Sequence, residues 1–132
     1  MKIILSIKPE FAAKIFEGTK KYEFRRAIFK NKNVKKVVVY ASSPVQKIIG
    51  EFEIEDIIKN DLESLWNETK KHSGISKDYF LAYFRDKEQG FAIKIKSYEK
   101  YPVPQCIRED YNLLPPQSFL YLLDDYQGKL PL

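Results

Sequence analysis

The sequence predicts an α+β fold, a small, mostly antiparallel β-barrel with helices packed on its openings or flank. About six β-type segments occur and only some are separated by helical ones, which argues against a doubly wound parallel sheet. Gly50 interrupts one alternating segment, marking a bulge or sharp bend of the kind that closes barrels. The 132 residues are 44% hydrophobic and 14% aromatic with only 5 glycines. That is enough for a core without disulfide or metal staples, and it lies outside the disordered class. Residues 1–132 read as a single domain, with no internal repeat, low-complexity tract or linker.

The elements follow in order. Lys2 to Ile7 is a short, β-rich strand. Pro9 at a first helical position and Glu10 in the first turn open a helix on which Phe11, Ala12, Ile15 and Phe16 recur, and Gly18 supplies its left-handed end. From Lys20 to Arg26 the period changes to two: Tyr22 and Phe24 fall on one face, Lys21, Glu23 and Arg25 on the other. Asn31-Lys32-Asn33 is a turn, Val34 to Ala41 a nearly continuous apolar strand, and Ser42-Ser43-Pro44 its end. Ile48 to Ile58 alternates around Phe52 and Ile54, with Glu51, Glu53 and Glu55 pointing outward. Asp61 caps a helix carrying Leu62, Leu65, Trp66 and Thr69 and ended by Gly74. Ser76 caps a second, with Tyr79, Phe80, Tyr83 and Phe84 on its buried stripe. Gly90 to Tyr98 alternates again through Phe91, Ile93 and Ile95 until Pro102 and Pro104 break it. A short turn or helix spans Cys106 to Tyr111, and Pro115-Pro116-Gln117-Ser118 leads into a last strand from Phe119 to Leu123.

Charge and cysteine content narrow the functional classes. There are 23 Lys and Arg against 18 Asp and Glu, a net charge of +5, which modestly favours anionic partners. Between Lys20 and Lys36 the basic residues Lys20, Lys21, Arg25, Arg26, Lys30, Lys32, Lys35 and Lys36 meet only Glu23, while acid collects from Glu51 to Glu63 and at Asp124-Asp125. A lone cysteine, Cys106, rules out an intramolecular disulfide framework and fits a reducing compartment. The apolar start Ile3-Ile4-Leu5 is too short for a signal peptide, and no run approaches membrane-spanning length, so a cytoplasmic protein is expected. His72 sits where a helix end favours a cation, and Cys106 has no His or Cys nearby. No metal site, phosphate-cradling glycine loop or cofactor is expected.

The chemistry concentrates at Gly18-x-Lys20-x-x-Glu23-x-Arg25, between the first helix and the second strand. Glu23 and Arg25 share a strand face, and Lys20 at the turn can reach over the strand end. Two cations around one carboxylate offer an acceptor for a base amino group and planar donors for phosphate or carbonyl. Buried together, such groups shift one another's pKa, as acid/base catalysts require. On a solvated surface the same trio is an ion pair worth roughly 0–1 kcal/mol. Phe11, Phe16, Phe52, Trp66, Phe80 and Phe84 sit at core periodicity, whereas Tyr40, Tyr98, Tyr101 and Tyr121 are candidate stacking platforms.

This motif resembles the signature of the ASCH domain family, whose fold is similar to the PUA-like β-barrels of RNA-modifying proteins. The segments Tyr40-Ala41-Ser42-Ser43-Pro44, Ile49-Gly50-Glu51-Phe52 and Pro115-Pro116-Gln117-Ser118-Phe119 also look like that family, so the resemblance covers nearly the whole chain. It implies a cleft between the motif strand and the neighbouring helices, with RNA or a nucleotide-like small molecule as ligand. Gly18, Lys20, Glu23 and Arg25 would form its floor, and Ser42, Ser43, Gln117 and Ser118 its polar rim, although Ser-Pro and Pro-Pro pairs also punctuate turns. Arg26 and Lys30, with Lys32, Lys35 and Lys36, would extend a phosphate track.

Two further readings stand beside the binding module. Compact family members are similar to amidohydrolases that deacylate modified cytidine, and others are associated with RNA cleavage; Lys20 would act as base with Glu23 as partner. The amidohydrolase pattern carries Thr where this chain has Glu23, and the position near His72-Ser73 gives no obvious counterpart of its later Glu. The other reading is a protein-interaction domain using a tyrosine-rich surface.

Overall fold

A computed structural model describes residues 1–122. The strands are β1 (Lys2–Ile7), β2 (Tyr22–Arg25), β3 (Lys36–Ala41), β4 (Lys47–Asp61), β5 (Gln89–Gln105) and β6 (Phe119–Leu122). The helices are α1 (Pro9–Glu17), α2 (Leu62–Thr69), α3 (Lys77–Tyr83) and α4 (Ile107–Tyr111), with a single 3-10 turn at Lys70–His72. Together the strands make one sheet in the order β2-β5-β4-β3-β1-β6. Only β1 and β3 run parallel; the other pairs are antiparallel, as expected. The sheet is a barrel only loosely, because no ladder joins its two edge strands, β2 and β6.

Three cores explain the apolar patterns. Ile3, Leu5 and Ile7 of β1 and Val37 and Val39 of β3 face Ala12 and Ile15 of α1 and Phe52 of β4. Their alternates, Ile4, Val38 and Tyr40, pack on the other face with Ile48, Ile107 and Leu122. Strands buried on both faces read as continuous apolar runs, which is why β3 shows no alternation. The third core seals α2 and α3 onto β2 and β5, through Leu65, Phe80 and Phe84 against Phe24 and Ala92.

The proline reading needs correction. Pro102 and Pro104 do not end β5, which continues to Gln105. Gly50 pairs with Lys100 and Ile48 with Gln105, so residues 101–104 bulge opposite Ile49 alone. Prolines are tolerated there because a bulged residue owes no ladder N–H. The bend anticipated at Gly50 lies at this same irregularity. A Cβ on Gly50 would stand 2.5 Å from the Glu99 carbonyl and 2.6 Å from the Phe16 ring. Gly50→Ala should therefore destabilise the fold by about 1–3 kcal/mol, read as a lower urea midpoint at unchanged slope.

Other expectations shift in detail. Tyr40 is 5% exposed and belongs to the core, so it offers no stacking face. Tyr101 hydrogen-bonds Glu51 Oε1 at 2.7 Å, and Lys2 and Lys36 flank the same carboxylate, so Glu51 is tucked in rather than outward. Leu123 and Asp124-Asp125 lie outside the described residues. Among the described residues no helix is long and apolar enough to cross a membrane.

Candidate functional site

The end of α1 builds the site. Gly18 adopts φ +84°, and the backbone N–H groups of Thr19 and Lys20 both donate to Lys14 O at 3.1 Å. This tight wrap turns the chain inward at Lys20, as a left-handed glycine end permits. The Lys20 side chain then passes over Gly74, where no Cβ obstructs it. Lys20 is 2% exposed, and its ammonium donates to Ser73 O at 2.6 Å. It also lies 5.3 Å from the Phe11 ring centroid and 4.9 Å from that of Phe24. Burial pulls its pKa down to about 8, with the nearby Glu23 charge resisting and Lys14 assisting.

Glu23 and Arg25 follow on β2. Glu23 is buried, and burial pushes its carboxyl above the usual range although Lys20 and Arg25 both pull it down. Arg25 Nη1 stands 3.4 Å from Glu23 Oε2. The same guanidinium donates to Ser6 O at 3.5 Å and Ser118 Oγ at 2.8 Å. Arg25 thus spans the seam that no ladder closes, from edge strand β2 to β1 and the residue before β6. The site lies at this seam, where the sheet curls round without sealing.

A cavity of about 240 Å³ opens here. Lys20, Glu23, Arg25 and Gln117 line it, with Ser6 from the end of β1 and Lys8 just before α1. Phe11, Tyr79 and Tyr83 form an aromatic wall. Tyr79 and Tyr83, one turn apart on α3, stack at 6.5 Å with their planes 11° apart, and Phe11 meets Tyr79 edge-on at 5.1 Å. The Tyr83 hydroxyl donates to Phe24 O at 3.1 Å, and burial raises its pKa.

The structure gathers some of the expected residues here and places others elsewhere. Lys20, Glu23, Arg25 and Gln117 come together, with Ser118 joined through Arg25. Gly18 instead borders a neighbouring groove. Arg26 Nη1 donates to Tyr83 O and Arg85 O at 2.8 Å each, satisfying carbonyls at the end of α3 that lack helical partners. Lys30 is exposed, with its backbone N–H held by the Tyr121 hydroxyl at 3.1 Å. Ser42 and Ser43 form the turn after β3, where Ser42 N–H donates to Ile7 O at 2.9 Å, and neither lines the cavity.

The phosphate track does not run on from the cavity. Lys36 pairs with Lys2 at the opening end of β1, whereas the cavity takes Ser6 and Ile7 from its closing end. That separation is about 15 Å along the strand.

Lys8, Phe11, Tyr79 and Tyr83 were not anticipated as site residues. The helical spacing of Phe11, Tyr79 and Tyr83 reads as core, yet Tyr79 and Tyr83 are only partly buried where they line the cavity, and Lys8 stands just before α1 with no motif to mark it. Among the described residues no group of three or more His, Cys, Asp or Glu could hold a metal.

Comparisons with known proteins bear on the family and the fold. A protein described as an ASCH domain-containing ribonuclease of Zymomonas mobilis is 30% identical over 130 residues, covering 96% of this chain and 88% of that protein. The large ribosomal subunit protein uL22 of Ureaplasma parvum is 32% identical over 121 residues, covering 91% of this chain. This chain spans only 39% of that protein's length. The crystal structure of ASCH from Zymomonas mobilis superposes with a TM-score of 0.87 at 29% identity, over 95% of this chain and 90% of that one. The N-terminal domain of Staphylothermus marinus McrB, at 15% identity and a TM-score of 0.51 over 81% of this chain and 78% of that one, shares the fold alone. The ASCH domain model matches residues 5–103, from the middle of β1 into the bulge of β5, and the chain belongs to the ASCH domain family.

Proposed function

We propose that the cleft binds RNA through a single unpaired base, with Arg25 and Lys8 meeting the attached phosphate. The observation that carries this reading is the joining, in one 240 Å³ cavity, of an aromatic wall with a buried carboxylate–guanidinium pair. The volume lies below the roughly 300–1,000 Å³ of pockets for drug-sized ligands, so the scale is one base or nucleoside. Phe11, Tyr79 and Tyr83 offer stacking faces, worth about 1–3 kcal/mol per base. Glu23 accepts a hydrogen bond from a base amino group when ionised and donates one when protonated. The family and its ribonuclease relative support RNA as the ligand class. The reading places this domain in the cytoplasm, acting without a resident metal or cofactor.

Titration with short single-stranded RNA tests this. Arg25→Ala should lower affinity about 10- to 150-fold, since charge-assisted hydrogen bonds contribute about 1.5–3 kcal/mol. Affinity should also fall with salt as counterions are released. Binding indifferent to both changes rejects the proposal.

A second reading, that the bound strand is cut, has its own support. Burial drives Lys20 and Glu23 in opposite directions, both toward neutrality. A neutral Lys20 amine can take the proton of a ribose 2′-hydroxyl as that oxygen attacks the adjacent phosphorus. The P–O5′ bond then breaks, and the protonated Glu23 carboxyl supplies the leaving oxygen's proton. The products are a 2′,3′-cyclic phosphate and a 5′-hydroxyl, and solvent returns the proton from Lys20 to Glu23. Deacylation of an acylated cytidine would use the same amine as base, and release of free cytidine distinguishes it from strand cleavage.

A further inference from the structure

We infer that a second nucleotide of the same RNA strand seats in the groove on the far side of the Gly18–Lys21 turn, so that the ligand is an oligonucleotide and not a mononucleotide. This rests on the proposed RNA reading and extends it. The groove has a volume of about 410 Å³ and shares Lys20 with the first cavity as a common wall. Besides Lys20, four of its lining residues, Lys21, His72, Lys94 and Lys96, are basic, against the single acid Glu55.

Lys94 is answered by Glu55 at 2.8 Å. Lys21, His72 and Lys96 are exposed and make no side-chain ion pair or hydrogen bond among the described residues. Unpaired lysines in a concavity are the footprint of an anion, and Lys21 and Lys96 are suited to phosphate.

Tyr98 supplies the second component. Tyr98 is 47% exposed, yet its ring meets that of Phe16 edge-on at 6.3 Å. Its hydroxyl sits so close to Gly18 that a Cβ there would lie 2.8 Å away. A fixed, half-exposed aromatic beside free lysines is the arrangement that single-stranded nucleic acid uses, base on ring and phosphate on cation. Gly18 thereby gains a role besides ending α1: it leaves room for the Tyr98 hydroxyl.

The test compares a ten-nucleotide oligouridine with uridine monophosphate on the full chain, using the exposed-site variant Lys21→Glu/Lys96→Glu. Oligouridine affinity should fall about 30-fold or more at 0.1 M salt, and the slope of log K against log salt should shrink by about 1.4, the value for two phosphates on a single strand. Uridine monophosphate affinity should stay within twofold. Unchanged oligouridine binding, or equal losses for both ligands, overturns the second subsite. Loss of monophosphate binding in Arg25→Ala shows that the first cavity reading stands even then. If neither ligand binds the unmodified protein, both readings fall together.

Discussion

On the cleavage reading, Lys20→Met is expected to lower the rate of RNA strand cleavage about 10²–10⁴-fold, the usual contribution of a positioned proton acceptor. Methionine keeps the buried stem that crosses Gly74 and deletes only the amine, so the fold should survive the change. At pH 7 about one Lys20 in ten carries a free amine if its pKa is about 8. The pH profile identifies the pair. Lys20 must be neutral and Glu23 protonated, so the rate should form a bell whose alkaline limb falls at about pH 8. Glu23→Gln removes the proton donor, and the residual rate should rise with pH and then level. That plateau should begin below pH 8, because Glu23 is what holds the Lys20 pKa up. A residual profile that keeps its alkaline limb in Glu23→Gln would assign that limb to another group, and an undiminished rate in Lys20→Met would end the cleavage reading.

The same pKa carries a stability signature. Between pH 8 and the ordinary lysine value of 10.5 the unfolded chain holds the Lys20 proton and the folded chain does not. Stability then rises with pH by linkage. Below pH 8 both states are protonated and the cost of burying the charge is fully present. Unfolding free energies of the unmodified protein and Lys20→Met should therefore diverge in favour of the former as pH climbs from 8 to 10.5, and parallel curves would show that Lys20 titrates normally.

The elements were legible because they rest on local signals. The Asp61 and Ser76 caps, the Gly18 end and the period change at Lys20 each act within a few residues, and each bounds an element in the structure. The Lys20–Glu23–Arg25 grouping was legible for the same reason. What was not legible depends on closure. The seam between β2 and β6 is a property of the whole sheet, and no residue pattern announces that Arg25 will cross it. Tyr79 and Tyr83 share the helical stripe of Phe80 and Phe84, and only the unsealed seam separates wall from core. The basic stretch is not continuous with the site because proximity to Lys20 in sequence is not proximity in space: the parallel pairing of β1 and β3 sets Lys36 beside Lys2, at the other end of the strand from the cavity.

Gly74→Ala should cost about 2–4 kcal/mol of stability and should impair the site without removing any group that touches ligand. Two independent effects add. Gly74 has φ +69°, which charges a Cβ roughly 1–2 kcal/mol. The new methyl would also stand 2.6 Å from Lys20 Cγ and 2.7 Å from Lys20 Cβ, near the root of the side chain where little rotation can relieve it. Lys20 must then leave its seat against Ser73 O and the Phe11 and Phe24 rings, carrying its amine away from Glu23. The double variant Lys20→Ala/Gly74→Ala separates the terms. Truncating Lys20 at Cβ removes the Cγ and Cδ contacts and leaves only the one to Cβ, so Gly74→Ala in that background should cost less than in the unmodified protein, with a coupling energy of about 1–2 kcal/mol between the two positions. A strictly additive pair would mean that Gly74 serves the turn alone. Coupling of the expected size would make Gly74 the residue that seats Lys20, tying the loop after α2 to the chemistry at the seam.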